Sequence, residues 1–380
     1  MFVRHLALKN FRSWPFLDLE LGPGVTVFTG ANGFGKTNIV ESLYYLATLS
    51  SHRVKHDAPL VKEGAEAAEL AATVVSQGRE LVVRMTINPH AANLAQLNRT
   101  RLRHPRELLG GVRCVLFSPE DLQLVTGEPE GRRRLVDAVI AQETPRFSAI
   151  KADYERVLKQ RNALLKQAFA CRRKGQPLDS SLFTSLDVWD IQLAALGAEL
   201  VTSRAKLITR LQPLVEAAYL EIAPHSRPPG LHYVTREQGE TTAETEALLL
   251  TSLADIRQRE IDAGRTLIGP HKDDLELLLG SKPAKGFASH GETWSFAIAL
   301  KIAVFRLFST GGHIPILILD DVFAELDNPR RQALTAMIRN AEQVLITTAV
   351  PTDIPEDMEH VTHTVLLTEG ESYLDVTADE

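Results

Sequence analysis

Cysteine is nearly absent: Cys114 and Cys171 are the two in 380 residues. So few and so separated, they exclude a disulfide framework and a cysteine zinc site, and a reducing cytoplasm is the expected compartment. No run approaches the ~20 apolar residues of a membrane span. Met1-Phe2-Val3-Arg4-His5 also lacks the apolar region of a signal peptide. No membrane association is expected. Internal repeats and low-complexity tracts are missing too, and composition is that of a soluble globular protein. Positive charge is not in excess, the net being −6, so any nucleic-acid surface must be local. The length exceeds that of one usual core and implies two domains.

Against these absences stands Gly30-Ala31-Asn32-Gly33-Phe34-Gly35-Lys36-Thr37. It fits the phosphate-loop pattern, and its setting fits as well. The apolar alternating run Val25-Thr26-Val27-Phe28 reads as the preceding strand, and an amphipathic helical pattern opens at Asn38. Glycines let backbone N–H groups close around phosphates, and the helix N-terminus adds partial positive charge. Lys36 then reaches the β/γ-phosphates while the Thr37 hydroxyl ligates Mg²⁺. The chain is expected to bind a nucleoside triphosphate.

The partner carboxylates lie far downstream. Ile316-Leu317-Ile318-Leu319 suits a buried parallel strand and ends in Asp320-Asp321, with 283 positions between Thr37 and Asp320. Asp320 is placed to hold Mg²⁺ and Asp321 to polarise the attacking water as a general base. A separation that long requires a large insertion.

Ser289-His290-Gly291-Glu292 opens a helical stretch shortly before that strand. Alone it is a capping box. Between the two phosphate-site motifs it resembles the signature of ATP-binding-cassette ATPases, and Phe323-Ala324-Glu325-Leu326-Asp327 resembles their D-loop. That resemblance implies a site completed in trans, with Ser289, Gly291 and Glu292 of one subunit facing the phosphate loop of another. The expected unit is an ATP-sandwiched homodimer.

Residues 2–8, 18–21, 69–75 and 81–87 read as strands. Between them and the carboxylates, Ile150, Tyr154, Val157, Leu158, Leu164, Leu165 and Phe169 recur at helical spacing. A second series, Leu186, Trp189, Leu193, Leu196, Leu200, Leu207 and Leu211, is close to a heptad. The polar break at Arg172-Arg173-Lys174 suggests a hairpin. The expected fold is α/β: an ATPase head of mixed sheet and flanking helices, made of 1–118 and 266–380, with a helical arm at 119–265. The stretch 131–174 holds twelve basic side chains against four acidic ones, Arg132, Arg133 and Arg134 leading it. This cluster is a candidate for DNA phosphates. Arg99, Arg101, Arg103 and Arg106 form a second. The sequence closes on an acidic tail, Thr377-Ala378-Asp379-Glu380.

Taken in order, these pieces resemble the RecF family of bacterial recombination and replication-repair ATPases, relatives of the SMC proteins. The resemblance rests on Leu8-Lys9-Asn10-Phe11-Arg12, the phosphate loop, Ser51-His52-Arg53 and Phe117-Ser118-Pro119-Glu120-Asp121-Leu122. It continues through Arg132-Arg133-Arg134, Trp189-Asp190, Gly269-Pro270-His271-Lys272-Asp273-Asp274-Leu275, the signature and Leu319-Asp320-Asp321. It implies ATP- and Mg²⁺-dependent dimerisation on single-stranded, gapped or junction DNA, cooperation with RecO and RecR proteins, and a role in the SOS response. It also places Arg12 near the nucleotide.

Two departures bear on rate. Ser118 stands where many relatives of this ATPase class have a Gln that senses Mg²⁺ and water, with Gln123 as a possible substitute. Thr347-Thr348 stands where transporters have a switch histidine. Both predict slow hydrolysis, because orientation of the water carries much of the rate. The competing readings are the nucleotide-binding subunit of a transporter, which normally carries that Gln and His, and a short SMC-like structural ATPase, which needs a far longer arm.

Overall fold

The computed structural model describes residues 1–375 except 311, 313, 351–353, 355–357 and 369, with backbone only at 325, 328 and 329. The acidic tail at 377–380 lies outside the described residues. The chain divides into two compact units. One comprises Met1–Gly127, Leu211–Gly230 and Leu279–Glu380; the other comprises Glu128–Arg210 and Leu231–Leu278.

Two six-stranded sheets build the first unit. Strands β1 (Phe2–Phe11), β2 (Trp14–Glu20), β4 (Ala68–Ser76), β5 (Arg79–Ile87), β6 (Leu94–Leu97) and β7 (Thr100–Arg101) form an antiparallel sheet of order β2-β1-β4-β5-β6-β7. A two-residue turn joins β1 to β2, with Arg12 in the left-handed region at φ 54°. The second sheet has the order β15-β14-β3-β13-β12-β8, from β3 (Gly24–Thr29), β8 (Cys114–Phe117), β12 (Ile316–Asp320), β13 (Gln343–Thr347), β14 (His360–Thr368) and β15 (Glu371–Leu374). The five strands from β14 to β8 are parallel, and the apolar runs of β13, β12 and β8 suit burial on both faces.

Helix α1 (Lys36–Thr48) is buried almost all round, through Ile39, Val40, Leu43, Leu46 and Ala47. These side chains share one core with Leu6, Leu8, Leu70 and Met85 of the antiparallel sheet and with Ile318 and Leu345 of the parallel one. Each fully buried side chain of this size is worth about 1.5–3 kcal/mol. The phosphate loop therefore springs from a buried core of the unit. Helix α7 (His290–Ser309) is likewise buried along most of its length. Short α2 (Leu122–Thr126) and α8 (Asn328–Ile338) complete this unit.

The second unit is mainly helical, with α3 (Pro129–Glu143), α4 (Arg146–Arg173) and α6 (Thr242–Ala263). Most of α5 (Ser180–Ile222) belongs to it, the helix leaving the unit after Arg210. Leu186, Leu193, Leu200 and Leu207 are buried in turn along α5, as their seven-residue spacing requires. Leu165 and Ala168 of α4 pack with Leu182 and Leu186 of α5 and Ile261 of α6. Fully buried Arg161 joins the same three helices, donating to Asp190 and Glu260 at 2.6 Å each. Strands β9 (Pro229–Val234), β10 (Asp274–Leu279) and β11 (Lys282–Pro283) make a small sheet of order β11-β10-β9. Among the described residues, no helix is long and apolar enough to cross a membrane.

Candidate functional site

Parallel register decides what meets at the strand ends. Asp320 stands opposite Thr347, and Thr347 opposite Phe28, so β12, β13 and β3 finish side by side. Ligands of parallel α/β sheets bind beyond such carboxyl ends.

The loop after β3 is shaped by its glycines. Gly30, Gly33 and Gly35 have φ of 139°, 85° and 98°, values that L side chains rarely adopt. A Cβ on Gly30 would also run into Val365 O, and one on Gly35 into the hydroxyls of Ser13 and Ser372. From below, Trp14 Nε1 donates to Gly35 O at 3.1 Å, and Asn38 Nδ2 to Ser13 Oγ at 2.8 Å. Ala31, Asn32 and Gly33 are exposed at the tip, while Phe34 packs partly against the core. Lys36 Nζ folds back to donate to Gly30 O at 2.7 Å and Ala31 O at 3.0 Å. Burial lowers its pKa from the ordinary lysine value, against the opposing pull of Asp321 and Asp320.

Asp320 is almost wholly buried and sits at the mouth of this loop. Its Oδ1 accepts from Thr37 Oγ1 at 2.9 Å and from Thr347 Oγ1 at 2.6 Å. Burial works to raise its pKa, but nearby His52 and the two hydroxyls prevail, and the carboxyl stays below its ordinary value. The next residue, Asp321, has φ 52°, a strained setting for a non-glycine residue. Its N–H donates to both Thr347 O and Thr347 Oγ1 at 3.1 Å. One threonine thus orients both carboxylates.

The signature turn folds as a capping box. Ser289 Oγ accepts from Glu292 N at 3.2 Å, and Ser289 N donates to Glu292 Oε2 at 2.9 Å. That backbone bond, with Arg227 3.0 Å away, holds the Glu292 carboxyl down at about 2. Ser289 and His290 are exposed, and Gly291 is half-buried. Among the described residues no hydrogen bond or ion pair joins Ser289, Gly291 or Glu292 to the phosphate loop of the same chain. Arg330 ties the turn to the D-loop by donating to Gly291 O at 2.6 Å and pairing with Asp327.

Other expected residues stand elsewhere. Arg12 is held against helix α1. Its Nε and Nη2 donate to buried Glu41 at 2.9 and 2.7 Å, and its Nη1 to Pro59 O at 3.0 Å. Arg132 is buried, its guanidinium closed in a two-pronged pair with Asp274 at 2.8 Å. Arg133 donates to Asp273 O at 2.6 Å, which leaves Arg134 as the exposed member of the triplet. Gln123 is exposed on α2, and among the described residues nothing bonds it to Asp320 or Asp321. In the His271–Asp274 stretch, Tyr233 OH donates to Asp273 at 2.6 Å and Tyr154 OH pairs with His271 Nδ1 at 2.7 Å.

Sequence reasoning marked Thr347 as standing at the switch position but missed its bridging role between the two carboxylates. It also missed Lys301, a lone cation in an apolar helical stretch, which lies buried 2.8 Å from Asp121 and donates to Leu116 O at 2.7 Å. The lone charge was the available signal.

An all-oxygen set at Thr37 and Asp320 suits a hard divalent cation, and the glycine-shaped loop with its buried ammonium suits a triphosphate. Fold and site together define a P-loop ATPase head of the ATP-binding-cassette type. Residues 2–372 match the RecF/RecN/SMC N terminal domain family. The DNA replication and repair protein RecF of Rhodococcus erythropolis (strain PR4) is 48% identical over 376 residues, covering 94% of this chain and 92% of that protein. The chain belongs to the RecF family of DNA replication and repair proteins. A structure of the recombination mediator protein RecF with ATP, in the RecFOR pathway, superimposes with TM-score 0.86 at 23% identity, covering 99% of this chain and 98% of that one. The Smc head domain of Pyrococcus furiosus, with a TM-score of 0.52 and 17% identity over 98% and 96% of the chains, shares the fold more loosely.

Proposed function

We propose that this chain is an ATP-dependent DNA-binding protein of recombinational repair and replication restart, in which ATP closes a two-site homodimer. The observation that carries the reading is the set Thr37–Asp320–Thr347 at the mouth of the loop, together with an exposed signature turn bonded to nothing in that loop. Lys36 exchanges its carbonyl partners for phosphate oxygens. Thr37 and Asp320 hold Mg²⁺, which when bound neutralises charge on those oxygens. Asp321, aimed by its N–H bonds to Thr347, takes the proton of the attacking water. The Ser289 hydroxyl donates in trans, and Gly291 and Glu292 shape its turn.

Hydrolysis is slow, below about 10 per second, and serves as a DNA-dependent switch. DNA contact falls to cations outside ion pairs in the described residues: Arg134, Arg146, Lys159, Lys166 and Lys174 on the arm, and Arg84, Arg99 and Arg101 on the antiparallel sheet. The family match and the RecFOR relative support cooperation with RecO and RecR; action at gaps or junctions, recombinase loading and SOS induction belong to the same reading, on the sequence resemblance alone.

The test is solution mass for Asp321→Asn, chosen to suppress hydrolysis, with and without ATP and Mg²⁺. A shift from monomer to dimer is expected, and Ser289→Arg should abolish it while ATP still binds. A Ser289→Arg protein that dimerises normally would remove the signature from the site.

A further inference from the structure

His52 lies in the loop after α1, and its position follows from one hydroxyl. Ser51 Oγ donates to buried Glu41 and accepts from the N–H groups of Arg53 at 3.0 Å and Val54 at 3.1 Å, which pins the loop to the helix. The His52 ring is thereby packed edge-on against Tyr44, with centroids 5.6 Å apart. Its side chain is 8% exposed, and its Nε2 stands 3.7 Å from Asp320 Oδ2. That is beyond hydrogen-bond length. Both ring nitrogens are shielded from solvent and lack a hydrogen-bond partner among the described residues. Leaving a buried polar group unmatched costs about 1–3 kcal/mol. Phenylalanine would fill the same space against Tyr44 without that cost.

The neighbourhood says what the nitrogens face. Asp320 Oδ1 is taken by Thr37 and Thr347, while Oδ2 is the oxygen His52 approaches. Asp121, on the turn after Ser118, also lies within electrostatic reach of His52. Both neighbours are carboxylates. A ring nitrogen too far to bond Asp320 directly is placed to bond water held there.

We infer that His52 is a positioning residue for the hydrated divalent cation at Asp320, bonding a water of that cation and filling the role for which Ser118 is too short. The inference rests on the nucleotide-site reading above. The residue acts through the cation's water, so its loss lowers cation affinity without removing a ligand of the metal. Outer-shell partners of metal sites typically govern 10–100-fold in affinity.

The experiment measures Mn²⁺ binding to the full chain with ATPγS, from the electron paramagnetic resonance of free Mn²⁺, and nucleotide affinity in EDTA alongside. His52→Phe should weaken Mn²⁺ about tenfold, raise the metal-free thermal midpoint and leave metal-free nucleotide affinity unchanged; His52→Gln should recover part of the loss. Normal Mn²⁺ affinity in His52→Phe, or an equal loss in EDTA, assigns the ring to packing and overturns the inference. If the wild type binds no ATPγS, the nucleotide site itself is wrong and His52 falls with it.

Discussion

Replacing Thr347 with valine isolates what one hydroxyl does for two carboxylates. The side chain is 1% exposed, and valine matches its shape. The change deletes a 2.6 Å donor to Asp320 Oδ1, a bond to a charged acceptor worth about 1.5–3 kcal/mol. Asp321 N keeps its second acceptor, Thr347 O at 3.1 Å, so the backbone at φ 52° is not orphaned. Asp320 likewise keeps Thr37. The loss should therefore fall near the lower end of that range, about tenfold in Mg²⁺–nucleotide affinity at 1.4 kcal/mol per decade. Calorimetric titration with ATPγS and Mg²⁺ measures it, and Thr347→Ser should restore binding.

Stability carries an independent signature of the same bond. The Asp320 carboxyl sits below its ordinary value when folded, so its contribution is present above the unfolded carboxylate range and is lost as pH falls. The wild type should be more stable than Thr347→Val in urea at neutral pH, and the gap should close in acid. Unchanged Mg²⁺–nucleotide affinity in the variant, or a gap that widens in acid, would falsify the assignment of Thr347 as the group that orients Asp320.

Three further expectations concern the second unit. Arg132→Ala breaks a largely buried pair with Asp274 and should lower stability by about 2 kcal/mol, as read from urea midpoints, with the salt dependence of DNA binding intact. Neutralising Arg134, Arg146 and Lys159 together should instead flatten that dependence, by about 0.9 in logarithmic slope per lost phosphate contact; an unchanged slope would exclude these three as contacts. Burial first, then Lys272, holds the His271 pKa down at about 4, so the ring folds neutral. Its stabilisation is complete above about 6.5 and is lost as pH falls towards 4, on the order of 3 kcal/mol. His271→Gln should flatten the urea-midpoint profile between those limits, and an acid loss as steep as the wild type's would clear His271.

What was legible in the sequence was local. A glycine-rich loop between an apolar strand and a helix announces itself, because backbone conformation and pleat are written in neighbouring residues. The Leu186, Leu193, Leu200 and Leu207 repeat shows a buried helix face for the same reason. Partners set by the fold were not legible. Counting charges put Arg132 on a basic surface, whereas its carboxylate partner Asp274 is 142 positions away and closes over it. Thr347 and His52 reach Asp320 through strand register and a pinned loop; the sequence marked both positions, but not the carboxylate that each one meets. The acid that holds Arg12, Glu41, belongs to a different element and was not legible either.

The strand that carries the phosphate loop is paired on one side by β13 and on the other by β14. Both partners come from the last part of the chain, and Gly24 N, at the start of β3, is held by Glu342 O. The loop therefore has no finished cradle while the protein is being made. An emerging chain can close the β1–β2 hairpin and the arm helices early, but its central strand waits for residues some three hundred positions later. The nucleotide cradle is thus a product of long-range pairing, the slow kind of contact to form, and its assembly depends on the far end of the sheet being in place.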